Sequence, residues 1–276
     1  MTTPPEALVD THCHLTLAAF QADLSEVLER ARAAGVARIV VPGIDLPTSQ
    51  SAVALAEAEE GVFAAVGIHP HGAQAFTASL ERELRALAGS DRVVAIGEIG
   101  LDYYRDRSPR PAQRAAFQAQ LALATELGLP VVVHNRESTA DVMDDLLEHA
   151  KRQPPQLAGR IGVMHAFSAD LETGRQAAQA GFFLGVAGPL TYPEAELRRE
   201  ITAALPLERL VVETDAPYLT PHPARRGRNE PAQTRQVAER LAALFEVSLE
   251  TVARQTTANA GRLFGWDHGI DDRRLL

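Results

Sequence analysis

Four histidines and two carboxylates, His12, His14, Glu98, His134, His165 and Asp215, each close an apolar segment of this chain. Imidazole nitrogen and carboxylate oxygen are the donors that Zn, Mn and Mg accept, so six such groups placed alike form a candidate divalent-metal site. A lone histidine ending an apolar run is more often a capping or structural residue; six in equivalent positions are jointly specific. On a strand, side chains alternate between faces, so His12 and His14 look one way and Cys13 the other. The same rule sets Asp10 one layer below His12 and Glu213 one layer below Asp215, where each is placed to orient a ligand imidazole through its second nitrogen. Two ions about 3.5 to 4 Å apart would clamp the attacking and leaving oxygens of a displacement at phosphorus and generate hydroxide near neutral pH. In such a site Glu98 is the natural bridge. His12, His14 and Asp215 serve mainly one ion, His134 and His165 mainly the other, and Asp215 also accepts a proton from the attacking water.

Residues more than 200 positions apart converge cheaply only in a closed fold. Eight β-rich runs are spaced along the chain: Leu8 to His14, Ala37 to Ile44, Val62 to His69, Val93 to Ile99, Pro130 to His134, Ile161 to Phe167, Phe182 to Gly188 and Leu210 to Asp215. Between them lie amphipathic or alanine-rich stretches such as Asp23 to Ala34, Thr48 to Glu60, Pro111 to Leu127, Thr139 to Lys151 and Asp170 to Ala180. Two more, Ala232 to Phe245 and Leu249 to Phe264, follow the last strand and would seal the barrel. This alternation predicts an α/β fold, a single-domain (β/α)8 TIM-type barrel over residues 1–276, with chemistry at the carboxyl ends of the strands. Strands two and seven end in Gly43 and Gly188, which leave space. Residues 1–5 are expected to be a short leader, and Asp267 to Leu276 a peripheral tail.

With 46% hydrophobic residues among 276, the chain can bury a large core. Its single cysteine cannot form an internal disulfide, and no window reaches the roughly 18 continuous apolar residues of a membrane span. No secretion signal is evident, so a cytoplasmic protein without membrane contact, monomeric or weakly oligomeric, is expected. A net charge of −9 argues against a surface coated for generic nucleic-acid binding. Local patches remain open, because almost all the positive charge is arginine, clustered at Arg105, Arg107 and Arg110 and again at Arg225, Arg226 and Arg228. Both clusters follow a ligand-bearing strand and could rim the mouth with phosphate-binding forks, or simply be solvated loops.

Taken in order, Asp10-Thr11-His12-Cys13-His14-Leu15, Val66 to His71, Gly97 to Tyr104, Pro130 to His134, His165-Ala166-Phe167-Ser168 and Glu213 to Leu219 resemble the TatD family of metal-dependent deoxyribonucleases, within the amidohydrolase superfamily. The resemblance spans nearly the whole chain. It implies a 3′-to-5′ exonuclease or related phosphodiesterase with two divalent ions, acting on single-stranded or frayed DNA and perhaps RNA, and the six candidate ligands fall on the family's metal positions. It also suggests His69, Tyr103, Arg136, Arg228 and Asn229 as contacts to substrate phosphate or base, although the tyrosine is equally well read as packing. Ala166 departs from the cysteine of many relatives, and Asn135-Arg136-Glu137 from their Ser-Arg-Asp or Ser-Arg-Glu.

Three rivals are weighed against a nuclease. Other members of the superfamily hydrolyse small substrates, many with a carboxylated lysine bridging two metals; Lys151, the sole lysine, follows a helix far from any strand end, which leaves Glu98 as the bridge. Deacylation of D-aminoacyl-tRNA would use the same arginine loops with less clamping at the scissile centre. A catalytically idle nucleic-acid-binding barrel is disfavoured because all six ligands are present.

Overall fold

The computed structural model describes residues 7–266. Eight strands, β1 (Leu8–Asp10), β2 (Val36–Pro42), β3 (Val62–Val66), β4 (Val93–Asp102), β5 (Val131–Arg136), β6 (Gly162–Met164), β7 (Phe182–Val186) and β8 (Leu210–Val212), pair in parallel in sequence order. Helices α1 (Leu24–Ala33), α2 (Leu46–Ala58), α3 (Ala78–Leu87), α4 (Arg110–Leu127), α5 (Thr139–Ala150), α6 (Leu171–Ala180) and α7 (Glu196–Ala203) fill the seven crossovers, and α8 (Thr234–Phe245) and α9 (Leu249–Phe264) follow the last strand. The ring closes just beyond β1 and β8. Thr11 N donates to Val212 O at 3.1 Å, Asp215 N to His12 O at 2.8 Å and His14 N to Ala216 O at 2.8 Å, and Cys13 forms a parallel bridge with Ala216. The expected (β/α)8 barrel is the fold, while the expected leader and the tail from Asp267 lie outside the described residues.

The paired strands differ in length from the apolar runs. β1, β6 and β8 stop at Asp10, Met164 and Val212, short of the expected His14, Phe167 and Asp215. There the chain leaves the ladder to aim side chains into the mouth, and Ala166 and Asp215 adopt φ values of 43° and 56°, a conformation costly for residues with a Cβ. β4 and β5 instead run on to Asp102 and Arg136, pairing Gly100 with His134 and Asp102 with Arg136. Gly43 and Gly188 do leave space, but for neighbours: a Cβ on Gly43 would meet Ser49 Oγ at 2.1 Å, and one on Gly188 the Leu219 carbonyl at 1.9 Å.

Strand alternation builds the site from the floor up. Val132, Val163 and Val211 join Val9, Val40, Phe63 and Phe183 inside the barrel, packed against Ala260, Leu263 and Phe264 of α9 and against Trp266. Val131, Val133, Met164 and Val212 face the other way, under the helices. Each large apolar side chain so buried contributes roughly 1.5–3 kcal/mol. One step up the inner face, two residues beyond these valines, stand His134, His165 and Glu213. Cys13 is buried in the outer layer, opposite His12 and His14 as the alternation requires.

Candidate metal centre

The six expected ligands meet at the mouth, and Glu98 divides its two oxygens between two groups. Oε2 lies 3.4 Å from His12 Nε2 and 3.5 Å from His14 Nε2. Asp215 Oδ1 completes that group at 3.6 Å from His12 Nε2 and 3.4 Å from His14 Nε2, and the two imidazole nitrogens are 3.2 Å apart. Oε1 lies 2.9 Å from His134 Nδ1 and 3.0 Å from His165 Nε2, which are 3.2 Å from each other. Donors about 2.1 Å from a zinc-sized ion, arranged tetrahedrally, stand about 3.4 Å apart, which the five separations given for the first group match. The second has three donors, the number of protein ligands usual at a catalytic zinc.

Burial and mutual charge tune these groups. Burial pushes the carboxyls of Glu98 and Asp215 upward, but the surrounding histidines outweigh it and hold both below the ordinary carboxylate range, Glu98 well below. Burial lowers His12. His14, His134 and His165 are also pushed down by burial, yet the carboxylates beside them raise all three, His165 the furthest because Glu98 and Glu213 both face it. A ligand imidazole must give up its proton to a cation, so these raised values make metal binding depend on pH.

His69, expected only to touch substrate, stands inside the cluster. Its Nδ1 accepts from the His71 amide at 3.1 Å, so the neutral ring carries its proton on Nε2, 3.5 Å from Glu98 Oε1. Burial pushes its pKa down to about 4, which keeps it a neutral donor aimed at the shared carboxylate.

The supporting residues divide less simply than their spacing suggests. Glu213 sits beneath the site as expected, its Oε1 3.6 Å from His165 Nδ1 and accepting from Ala166 N at 2.5 Å. A Cβ on Gly185 would come within 2.4 Å of this carboxylate, so the glycine is what admits it. Asp10 does not reach an imidazole. It accepts from His12 N at 3.3 Å, Thr214 N at 2.9 Å and Thr214 Oγ1 at 2.6 Å, because β1 ends there and the chain turns; among the described residues His12 Nδ1 has no partner. Burial raises the Asp10 pKa to about 7. The carboxylate that does face a ligand's second nitrogen is Asp102, at ion-pair distance and not in a hydrogen bond, and its sequence position did not single it out. Its Oδ2 is 3.4 Å from His134 Nε2 and 2.9 Å from His71 Nε2, and its Oδ1 accepts from Tyr104 N and Arg105 N.

Two expected substrate contacts are engaged elsewhere. Arg228 donates to Asp23 Oδ1 and Oδ2 at 2.7 Å, to Glu230 Oε1 at 2.7 Å and to Ala19 O at 2.6 Å. Asn229 is fully buried and donates to Thr214 O at 2.9 Å and Tyr218 O at 2.6 Å, so it clamps the loop that carries Asp215. Tyr103 is partly buried, with its hydroxyl 2.5 Å from Asp141 Oδ2; burial and that carboxylate push its pKa up to about 12. Arg136 alone of these five is exposed at the mouth without a carboxylate partner among the described residues.

A parallel eight-stranded barrel whose mouth gathers histidines around a shared carboxylate defines a metallohydrolase of the TIM-barrel type. Residues 9–265 match the model of the TatD related DNase family. The chain is 42% identical to the metal-dependent hydrolase YabD of Bacillus subtilis over 93% of its own length and 98% of that protein. It is 38% identical to the 3′-5′ ssDNA/RNA exonuclease TatD of Klebsiella pneumoniae, over 94% of this chain and 98% of the relative. The crystal structure of YjjV, a TatD homologue from Escherichia coli, superposes with a TM-score of 0.88 at 32% identity, covering 95% of this chain and 99% of that one. The protein therefore belongs to the TatD family and is a metal-dependent hydrolase. No helix of the described residues is long and apolar enough to cross a membrane.

Proposed function

We propose that this protein is a divalent-metal-dependent phosphodiesterase that removes nucleotides from the 3′ end of single-stranded DNA, with RNA as a further substrate. The observation that carries the proposal is the division of Glu98 between two donor groups, Oε2 toward His12, His14 and Asp215 and Oε1 toward His134 and His165. The exonuclease activity for which the Klebsiella relative is named supports the substrate class.

His12, His14, Glu98 and Asp215 would hold one cation and Glu98, His134 and His165 a second; Mg, Mn or Zn there supplies Lewis acidity and makes a neighbouring water easier to deprotonate. Asp215 stays ionised at neutral pH and takes the proton of the attacking water. His69 Nε2 faces Glu98 Oε1 at 3.5 Å and steadies that carboxylate electrostatically. Asp102 and Glu213 face the second nitrogens of His134 and His165 at 3.4 and 3.6 Å and act on those rings through charge. A frayed or unpaired end reaches such a mouth without the cost of melting a duplex, so single strands are the preferred form.

The test is cleavage of single-stranded oligonucleotides labelled at the 3′ or the 5′ end, with EDTA and then with Mg, Mn and Zn restored in turn. Chelation should abolish cleavage and a divalent ion should restore it, the 3′ label appearing as a mononucleotide from the first turnover. Inactivity with all three ions, or faster hydrolysis of a D-aminoacyl-tRNA by the same preparation, overturns the proposal.

A further inference from the structure

The side of the mouth formed by β4 and β5 carries an aromatic ring that neither the metal centre nor the core uses. Tyr104 is 52% exposed, and two guanidiniums lie against its ring, Arg136 Cζ at 4.1 Å and Arg105 Cζ at 5.4 Å from the centroid. Neither arginine has a carboxylate partner among the described residues, and the exposed Arg107 nearby has none either. In a chain of net charge −9, two unneutralised guanidiniums against one exposed ring are a local reversal of sign.

This group is tied to the site through the backbone. Asp102, whose Oδ2 faces His134, accepts from the amides of Tyr104 at 3.0 Å and Arg105 at 2.7 Å through its other oxygen. Tyr103 N donates to Arg136 O at 2.9 Å, and the strand register sets Arg136 opposite Asp102, two residues beyond the His134 and Gly100 pair. Two residues of parallel strand span about 6.6 Å, so His134 and Arg136 point the same way, one at the metal level and one above it. The ring and its guanidiniums thus stand at a fixed height over the candidate scissile position.

We propose that Tyr104, flanked by Arg105 and Arg136, is a stacking platform for one base of a single-stranded nucleic acid, with the guanidiniums gripping the adjoining phosphates. The inference rests on the nucleic-acid substrate class proposed above and assigns it a named contact. Aromatic rings accept any base by its π-face, so the platform selects unpaired strands over duplex without reading sequence. A guanidinium lying on a ring keeps its donors free for phosphate oxygens. The other exposed tyrosine of the mouth, Tyr218, is 56% exposed with its ring 6.2 Å from that of His14, and no arginine lies over it among the described residues.

The experiment measures binding of a phosphorothioate oligonucleotide to the protein loaded with whichever of Mg, Mn and Zn supports cleavage, or with Mn if none does, with an abasic residue moved one position at a time from the 3′ end, alongside cleavage of the unmodified strand. For the wild type one abasic position should weaken binding about tenfold. Tyr104→Ala should weaken the intact strand by the same factor and be indifferent to that abasic position, and Tyr104→Trp should restore both affinity and sensitivity. A merely structural tyrosine would lower affinity for intact and abasic strands alike, which overturns the proposal. So does a sensitive position that persists in Tyr104→Ala and vanishes in Tyr218→Ala, or the absence of binding to any of these strands. The abasic pattern without hydrolysis of the unmodified strand refutes the exonuclease and leaves the platform; hydrolysis with Tyr104→Ala matching wild type refutes the platform and leaves the exonuclease.

Discussion

Arg136, at the end of β5, and Arg228, in the loop after β8, both lie over an aromatic ring and differ in the carboxylates their guanidiniums meet. Arg228 is saturated by Asp23, Glu230 and the Ala19 carbonyl, and Arg225 in the same loop pairs with Glu194 at 2.6 Å. Arg136 lies on Tyr104 and meets no carboxylate among the described residues. Asn229 and Asp10, on the β8 and β1 side, likewise use their polar atoms to fasten the Asp215 loop. That side of the mouth is scaffolding for one acid, whereas the β4 and β5 side keeps both its charge and its ring available. A cationic loop near a site is therefore informative only once its internal partners are counted.

The sharpest way to test the division is to substitute one residue from each side. Glu98→Ala, removing the shared carboxylate, should lower turnover by orders of magnitude and reduce bound metal while circular dichroism and thermal unfolding stay close to wild type. Asn229→Ala should lose activity together with stability, because the buried Thr214 carbonyl is left without its donor at about 1–3 kcal/mol and the partly buried Tyr218 carbonyl loses its own. Should Asn229→Ala keep its unfolding midpoint, the scaffolding assignment fails.

Acid sharpens the same contrast. In chelator-treated protein His14, His134 and His165 are held above the ordinary imidazole value by neighbouring carboxylates despite burial. A ligand imidazole must release its proton, so metal affinity should fall as pH drops through neutrality, by up to about tenfold per unit for each proton displaced. Titration calorimetry in buffers of different ionisation enthalpy counts those protons. Affinity that is flat between pH 8 and pH 6, with no proton release, counts against these three rings as ligands.

The smallest effect separates the two arginines directly. Arg136→Ala should reduce the salt dependence of oligonucleotide binding by a slope of about one, the loss of a single phosphate contact. Arg228→Ala should leave that slope unchanged and lower the unfolding midpoint modestly. Equal slopes for the two variants would erase the distinction.

The sequence made much of this legible because strand alternation is local. Val132 to His134 and Val163 to His165 are two-residue steps, and the order of ligands along eight apolar runs implied the ring that unites them. Asp102 was not legible, because β4 continues three residues past Ile99, where the apolar run ends, and only that extension puts the carboxylate behind His134. The role of Asp10 was misread because parity extrapolated along β1 does not survive the turn after it. The engagement of Arg228 was only half legible: Glu230 lies two positions away, but Asp23, which takes both of its terminal nitrogens, lies 205 positions away, a pairing no local pattern announces.

The hydrophobic seal under the strands has a consequence for how a polymer is handled. Ala260, Leu263, Phe264 and Trp266 pack against Val9, Phe63 and Phe183, so the channel through the sheet is a blind well and not a tunnel. A nucleic-acid chain cannot thread through and exit below. On the exonuclease activity proposed above, each released nucleotide would have to back out past the strand that brought it, and the well would have to be vacated before the next terminus could settle.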